Sequence, residues 1–280
     1  MELYCIRQLR WEHLMNRSYL IRTINKKRFL ILLVATIVIN FFDFYGLNNQ
    51  ITYVDRFPLQ SALNMNMLVQ GSWRLGGILY MFLVFILAAL PLSDVLSEDR
   101  KSGYTNQILL KISKKTYIKS LYINNFILGG LFALLPVFIN LFLWMMARPL
   151  FAMNYISGNL GGYEFLANLF VDCTPAFFIL HFFFVFFVGG MIASLALIIN
   201  DKLNNQYVGG LAVLAIDIIV SIICLIYSSV THSKNGLVGL RELIINRSLP
   251  SNLISWIYLT ICLLIPIIYL KKKEKLEEIV

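Results

Sequence analysis

The sequence predicts an all-α integral membrane protein in which six transmembrane helices follow an N-terminal interfacial helix. Three observations point there. Of the 280 residues, 59% are hydrophobic and only 14% charged, whereas a soluble domain carries about 25% charge. The apolar residues come in blocks of membrane-crossing length. The basic residues gather in alternate connections between those blocks.

The blocks span 29–47, 75–92, 121–147, 173–200, 207–231 and 253–270. A hydrocarbon core about 30 Å thick takes roughly 20 helical residues at about 1.5 Å each. Lipid offers no hydrogen-bond partner to an open backbone, so every block is predicted to be helical. The second, third and sixth contain no Asp, Glu, Lys or Arg. The first block begins at Phe29 and lacks a small-residue cleavage site, so it is expected to persist as the first membrane helix.

Orientation follows from the basic residues. Segments 1–28, 93–120, 201–206 and 271–280 together hold 18 of the 24 Lys and Arg; Arg56, Arg74, Arg148, Lys234, Arg241 and Arg247 are the rest. This bias predicts a multi-pass cell-membrane protein with both termini in the cytoplasm. The net charge of +9 is therefore read as topology, with membrane lipids and not nucleic acid as the expected partner. Lys271-Lys272-Lys273 is read as an anchor at the anionic leaflet. No internal repeat and no Ser/Gly/Pro-rich linker divides residues 1–280, which are expected to form a single transmembrane domain. In the N-terminal segment, Trp11, Leu14 and Met15 share one helical face among Arg7, Arg10, Arg17 and Arg22, although Arg7 intrudes on it. That is the composition of an interfacial helix.

Catalytic signatures are missing from the sequence. There is no Gly-x-x-x-x-Gly-Lys-Ser/Thr phosphate loop and no His-Glu-x-x-His pair. There is also no Gly-x-Ser-x-Gly elbow. The four cysteines, Cys5, Cys173, Cys224 and Cys262, are too scattered for a metal site or a disulfide framework. Gly129-Gly130, Gly189-Gly190 and Gly209-Gly210 are predicted to let helices approach closely. Pro136 and Pro266 each remove a backbone donor from a helix. Phe177-Phe178 and Phe182-Phe183-Phe184 are read as packing and lipid-facing side chains.

Asp43, His181 and Asp217 fall within or near the ends of the apolar blocks, where ionisable groups are costly and often functional. They are open to two readings: a proton or cation path, or groups satisfied within helix packing, with Asp43 at the outer interface. Three scattered positions without a repeat favour packing. The inner loop at 93–120 carries more information. Asp94, Val95, Leu96, Glu98, Asp99, Arg100 and Lys101 form a charged helical segment that Gly103 ends. Such a helix beneath the membrane can dock into a groove on a cytosolic partner, and an ordinary positive-inside loop has the same composition.

Glu98-Asp99-Arg100-Lys101-Ser102-Gly103, followed by Ser113-Lys114-Lys115-Thr116-Tyr117, resembles the corresponding loop of the ABC type-2 exporter permeases. These are the membrane-spanning subunits of ATP-binding cassette transporters. The family often has Thr directly after the glycine, where this chain has Tyr104 and then Thr105. Six spans, internal termini, the basic N-terminal segment and segment 230–252, matching the family's short re-entrant helices, extend the resemblance along the chain.

The resemblance implies a non-catalytic bacterial permease, without a cofactor of its own, that pairs with a second permease copy as a homo- or heterodimer. A separate ABC ATPase subunit would bind ATP-Mg and push on a coupling helix at 94–102, with residues 1–28 as the interface helix. Family members of this size imply export of amphipathic or antimicrobial-peptide-like cargo. The rival expectation is a self-contained ion-coupled carrier or channel that uses Asp43, His181 and Asp217.

Overall fold

The computed structural model describes residues 19, 21–23, 27–51, 62–63, 65–70, 74–148, 150, 169, 172–203, 205, 208–231, 240, 244 and 253–275. Among the described residues the chain is all-helical. In chain order the helices are α1 (Lys27–Ile51), α2 (Met67–Gln70), α3 (Leu75–Ala89), α4 (Val95–Lys101) and α5 (Tyr104–Leu109). They continue with α6 (Lys114–Ala147), α7 (Thr174–Leu203), α8 (Val208–Thr231) and α9 (Leu253–Lys275).

Each predicted apolar block lies largely within one of these helices. Lys27–Tyr45 of α1, α6 and α7 are long and apolar enough to cross a membrane, while α3 and Val208–Ile223 of α8 are shorter apolar helices. These helices are compatible with a membrane-spanning protein. At 34 residues, α6 is about 51 Å long. It is therefore longer than a hydrocarbon core of about 30 Å. Its start is set by Ser113, whose side chain accepts a hydrogen bond from the Thr116 N–H.

The bundle is organised around α7, which packs against α6, α8, α3, α9 and α4. The α6–α7 pairing is the most extensive, and glycines make it close. A Cβ on Gly129 would lie 2.3 Å from the Ala193 Cβ, and one on Gly189 would lie 2.5 Å from the Ala133 Cβ. The expected role of these glycines is thus observed. Polar groups in the interior satisfy one another across helices. Tyr80 Oη donates to the Ala133 carbonyl at 2.6 Å, and Asn125 Nδ2 donates to the Ala193 carbonyl at 2.8 Å.

The phenylalanine run divides. Phe177 and Phe178 are buried, whereas Phe183 is exposed on the outside of the bundle. Pro136 and Pro266 lie inside α6 and α9. Most of the expected N-terminal interfacial helix, including Trp11, Leu14 and Met15, lies outside the described residues, as does most of 230–252. The described part of the former, Tyr19 and 21–23, is helical, and Tyr19 and Thr23 are buried.

Candidate functional site

The charged helix of the 93–120 loop is α4. Asp94 stands at its N-cap position and Ser102 at its C-cap, and Gly103 turns the chain with φ of 71°. That left-handed conformation suits glycine. Glu98 lies in the first turn and Arg100 and Lys101 in the last, which matches the helix dipole. Asp94, however, makes no capping hydrogen bond, because its carboxylate pairs with both Nη atoms of Arg28.

Asp99 and Asp201 are likewise turned inward. Asp99, 1% exposed, accepts Arg22 Nη1 at 3.2 Å and Nη2 at 3.0 Å, a two-pronged pair. Tyr117 Oη donates to the same carboxylate at 2.7 Å. Burial works against the Arg22 charge, but the hydrogen bonds to Asp99 and its field outweigh that and hold the guanidinium above its ordinary value. Asp201, at the end of α7, accepts Tyr269 Oη at 2.6 Å and also Lys273, both from α9. Its second oxygen lies 2.6 Å from Arg100 Nη1 of α4.

The apolar side of α4 is equally embedded. Val95 and Leu96 join Leu92, Tyr117, Ile118, Leu121 and Leu197 in one buried cluster. Four of the eight loop residues singled out from the sequence, Asp94, Val95, Leu96 and Asp99, therefore face the bundle. Glu98 and Arg100 keep side-chain exposures of 41% and 42%, and Lys101 is exposed. Sequence reasoning missed the residues that receive α4: Arg22, Arg28, Tyr117, Asp201, Tyr269 and Lys273. The available signal is the excess of Arg and Lys in segments 1–28, 93–120 and 271–280, which composition alone attributes to topology.

The three ionisable groups of the apolar helices, Asp43, His181 and Asp217, do not form one site. Asp43 on α1 is fully buried, and its Oδ2 accepts Asn140 Nδ2 at 2.8 Å and Trp144 Nε1 at 3.2 Å. Arg74 lies 3.6 Å from the same oxygen and donates to the Met65 carbonyl at 2.6 Å. Burial pulls the Arg74 guanidinium down to about 10, against the opposing pull of Asp43. Gly76 makes room for this cluster, since a Cβ there would meet the Asp43 Cβ at 2.4 Å.

His181 on α7 and Asp217 on α8 instead bond the backbone of Ile244 and Leu240. His181 Nε2 is 3.1 Å from the Ile244 carbonyl, and the Leu240 N–H donates to Asp217 Oδ1 at 2.7 Å. As Nε2 faces a carbonyl, it carries the proton. Leu240 and Ile244 are both buried in the main core. Asp43 shares none of these partners.

An apolar groove of about 920 Å³ runs between α1 and α6, lined among others by Leu33, Thr36, Asn40, Ile139 and Met146. Among the described residues no group of three or more His, Cys, Asp or Glu is placed to hold a metal ion. Comparison with family models, with curated proteins and with solved structures finds no match for this chain.

Proposed function

We propose that this chain is the permease subunit of an ABC-type exporter in a bacterial cell membrane, coupled through α4 to a separate ATPase that binds ATP-Mg. In this reading the six apolar helices α1, α3, α6, α7, α8 and α9 all cross the bilayer, and both termini are cytoplasmic. A second permease copy completes the pathway, and the cargo is amphipathic, of the antimicrobial-peptide kind. The chain itself performs no hydrolysis.

One observation carries the reading. The short helix α4 is pinned to four other parts of the chain, through Arg22, Arg28, Tyr117 and Asp201, while Glu98, Arg100 and Lys101 reach solvent. A surface helix tied to the bundle this way passes a push on its outer face to α1, α6, α7 and, through Lys273, α9. An ordinary loop obeying the positive-inside bias has no need of buried carboxylates to staple it down, because charges left in water cost nothing to solvate.

The ion-coupled carrier remains the second reading, favoured by Asp43 Oδ1, which is buried without a hydrogen-bond partner. Against it, Arg74 already compensates the Asp43 charge. Purification from native membranes and reconstitution into liposomes separates the two. A permease brings down an ATPase subunit, and transport stops when ATP is omitted. Ion-gradient-driven uptake by the chain alone, lost in Asp43→Asn, would replace the exporter reading with the carrier.

A further inference from the structure

We propose that the groove between α6, α7 and α9 is a phospholipid site, in which one acyl chain fills the groove and Lys119 and Lys271 hold the phosphate at its mouth. The inference rests on the reading in which α6 and α9 cross the bilayer, and it is independent of any ATPase. The groove has a volume of about 340 Å³. Ile123 and Ile127 of α6, Phe187 and Met191 of α7 and Leu263 and Ile267 of α9 wall it. It follows α9 from Leu263 to Leu270, about 10 Å. Two polar residues line it, Tyr122 and Ser194. Ser194 is satisfied, because its Oγ donates to the Gly190 carbonyl at 2.9 Å. Tyr122 is not: it is 4% exposed, and its hydroxyl is buried without a hydrogen-bond partner. An unpaired buried hydroxyl is costly, and an acceptor oxygen on whatever fills the groove removes that cost.

The walls argue against another helix as the occupant. Lipid gives helices no hydrophobic reason to associate, and their interfaces rely on small residues that let backbones approach. The α6–α7 seam has such glycines, whereas Ile123, Ile127 and Ile267 here are bulky and exposed. A flexible chain fills the space between branched side chains. An acyl chain gains little over its place in the bulk bilayer, so the preference of the site comes from its mouth.

The mouth is cationic. Lys119 stands one turn before Ile123 on the same face of α6, and Lys271 one turn after Ile267 on the same face of α9. Both lysines are exposed. Lys273 is tied to Asp201, and that carboxylate is also taken up by Tyr269 and Arg100. The stretch Lys271-Lys272-Lys273-Glu274-Lys275 stays net cationic after that pairing. Tyr122 lies in the field of Tyr269, Asp201 and Arg100, which puts its hydroxyl at the same end of the groove as the lysines. A hydroxyl donor and two ammonium groups at one end of an apolar slot are complementary to a phosphodiester carried on an acyl chain. Basic sites between membrane helices recognise lipid headgroups in this way.

The test uses the full chain in nanodiscs with a phosphatidylglycerol that carries a photoactivatable diazirine on one acyl chain, and locates the adducts by peptide mass spectrometry. Adducts are expected to concentrate on residues 122–127 and 263–270. The double change Lys119→Glu with Lys271→Glu is expected to lower them about fivefold or more, with the unfolding midpoint unchanged. The matching pair of arginine substitutions is expected to keep them. Tyr122→Phe is expected to lower them about threefold, and Ile267→Trp, which fills the groove, to remove them. A diacylglycerol with the same diazirine chain is expected to label the groove about fivefold less. Equal labelling by the diacylglycerol, or adducts spread evenly over α1, α6 and α9, would overturn the site. So would a disulfide between two copies through Ile267→Cys, which would assign the groove to a second chain. A chain that stays in the membrane on alkaline extraction but carries no groove adduct overturns the site alone. Release of the chain by that extraction would overturn the membrane-spanning reading with it.

Discussion

Two neighbouring helices of the same loop, α4 and α5, are built on opposite terms. Both are short, both are bounded by Gly103, and both lie between α3 and α6. Yet α4 buries Val95, Leu96, Ser97 and Asp99, while no residue of α5 is buried and only Ile108 packs partly against the core cluster. The difference lies in what each sequence offers the bundle. The α4 segment has two apolar residues to fill a core cluster, and acids that reach Arg22, Arg28 and Tyr117. The α5 sequence, Tyr-Thr-Asn-Gln-Ile-Leu, turns Ile108 partly toward that cluster and leaves its amides outside. One helix is thereby embedded in the bundle, while the other keeps most of its side chains at the surface.

The strongest way to break this contrast is to remove the central staple. Asp99→Ala leaves Arg22 and Tyr117 facing a vacant buried site, and breaking a buried ion pair costs about 3–5 kcal/mol. We expect a destabilisation of about 4 kcal/mol, read as the shift in the unfolding midpoint of the purified protein in mixed micelles. A shift no larger than that of a surface substitution would mean that α4 is not held by Asp99.

Matched leucine truncations sharpen the contrast next. Leu96, 2% exposed, and Leu110, 87% exposed, lie on the two sides of Gly103. Leu96→Ala is expected to cost about 3 kcal/mol, the range for buried leucines. Leu110→Ala is expected to cost under about 0.5 kcal/mol. Similar costs for the two would erase the distinction between scaffold and surface.

An intermediate effect is expected at the joint itself. In Gly103→Ala the new methyl meets nothing within 4 Å, so the substitution probes the backbone alone. A non-glycine residue in the left-handed region is strained, and we expect a loss of about 1 kcal/mol in the same unfolding measurement. An unchanged or raised midpoint would show that the turn does not need the positive φ.

Much of the architecture was legible because apolar length is a one-dimensional property. Blocks read at 173–200, 207–231 and 253–270 reappear as α7, α8 and α9, with ends displaced by a few residues where capping and polar tails extend the helix. The charged segment expected at 94–102 is α4, flanked by Asp94 and Ser102. The glycine pairs sit at close helix contacts because a missing Cβ has one obvious use in a helix interface. The candidate site was less legible. Nothing in the spacing of Glu98-Asp99-Arg100 distinguishes the buried aspartate from its exposed neighbours, since a helix turn places them about 100° apart and only the neighbouring elements decide which side is inside.

By itself, then, the sequence determined where helices form, which segments are apolar and in which connections the basic charge accumulates. All of these follow from local composition and the 1.5 Å rise of a helix. Only the tertiary structure decided that Asp94, Asp99 and Asp201 are spent on ion pairs within the chain, that His181 and Asp217 bond the backbone of Ile244 and Leu240 while Asp43 belongs to another cluster, and that no residue of α5 is buried. Ion pairing and burial depend on partners tens of residues away, as in Arg22 with Asp99 and Lys273 with Asp201. Those partners meet only in the folded bundle.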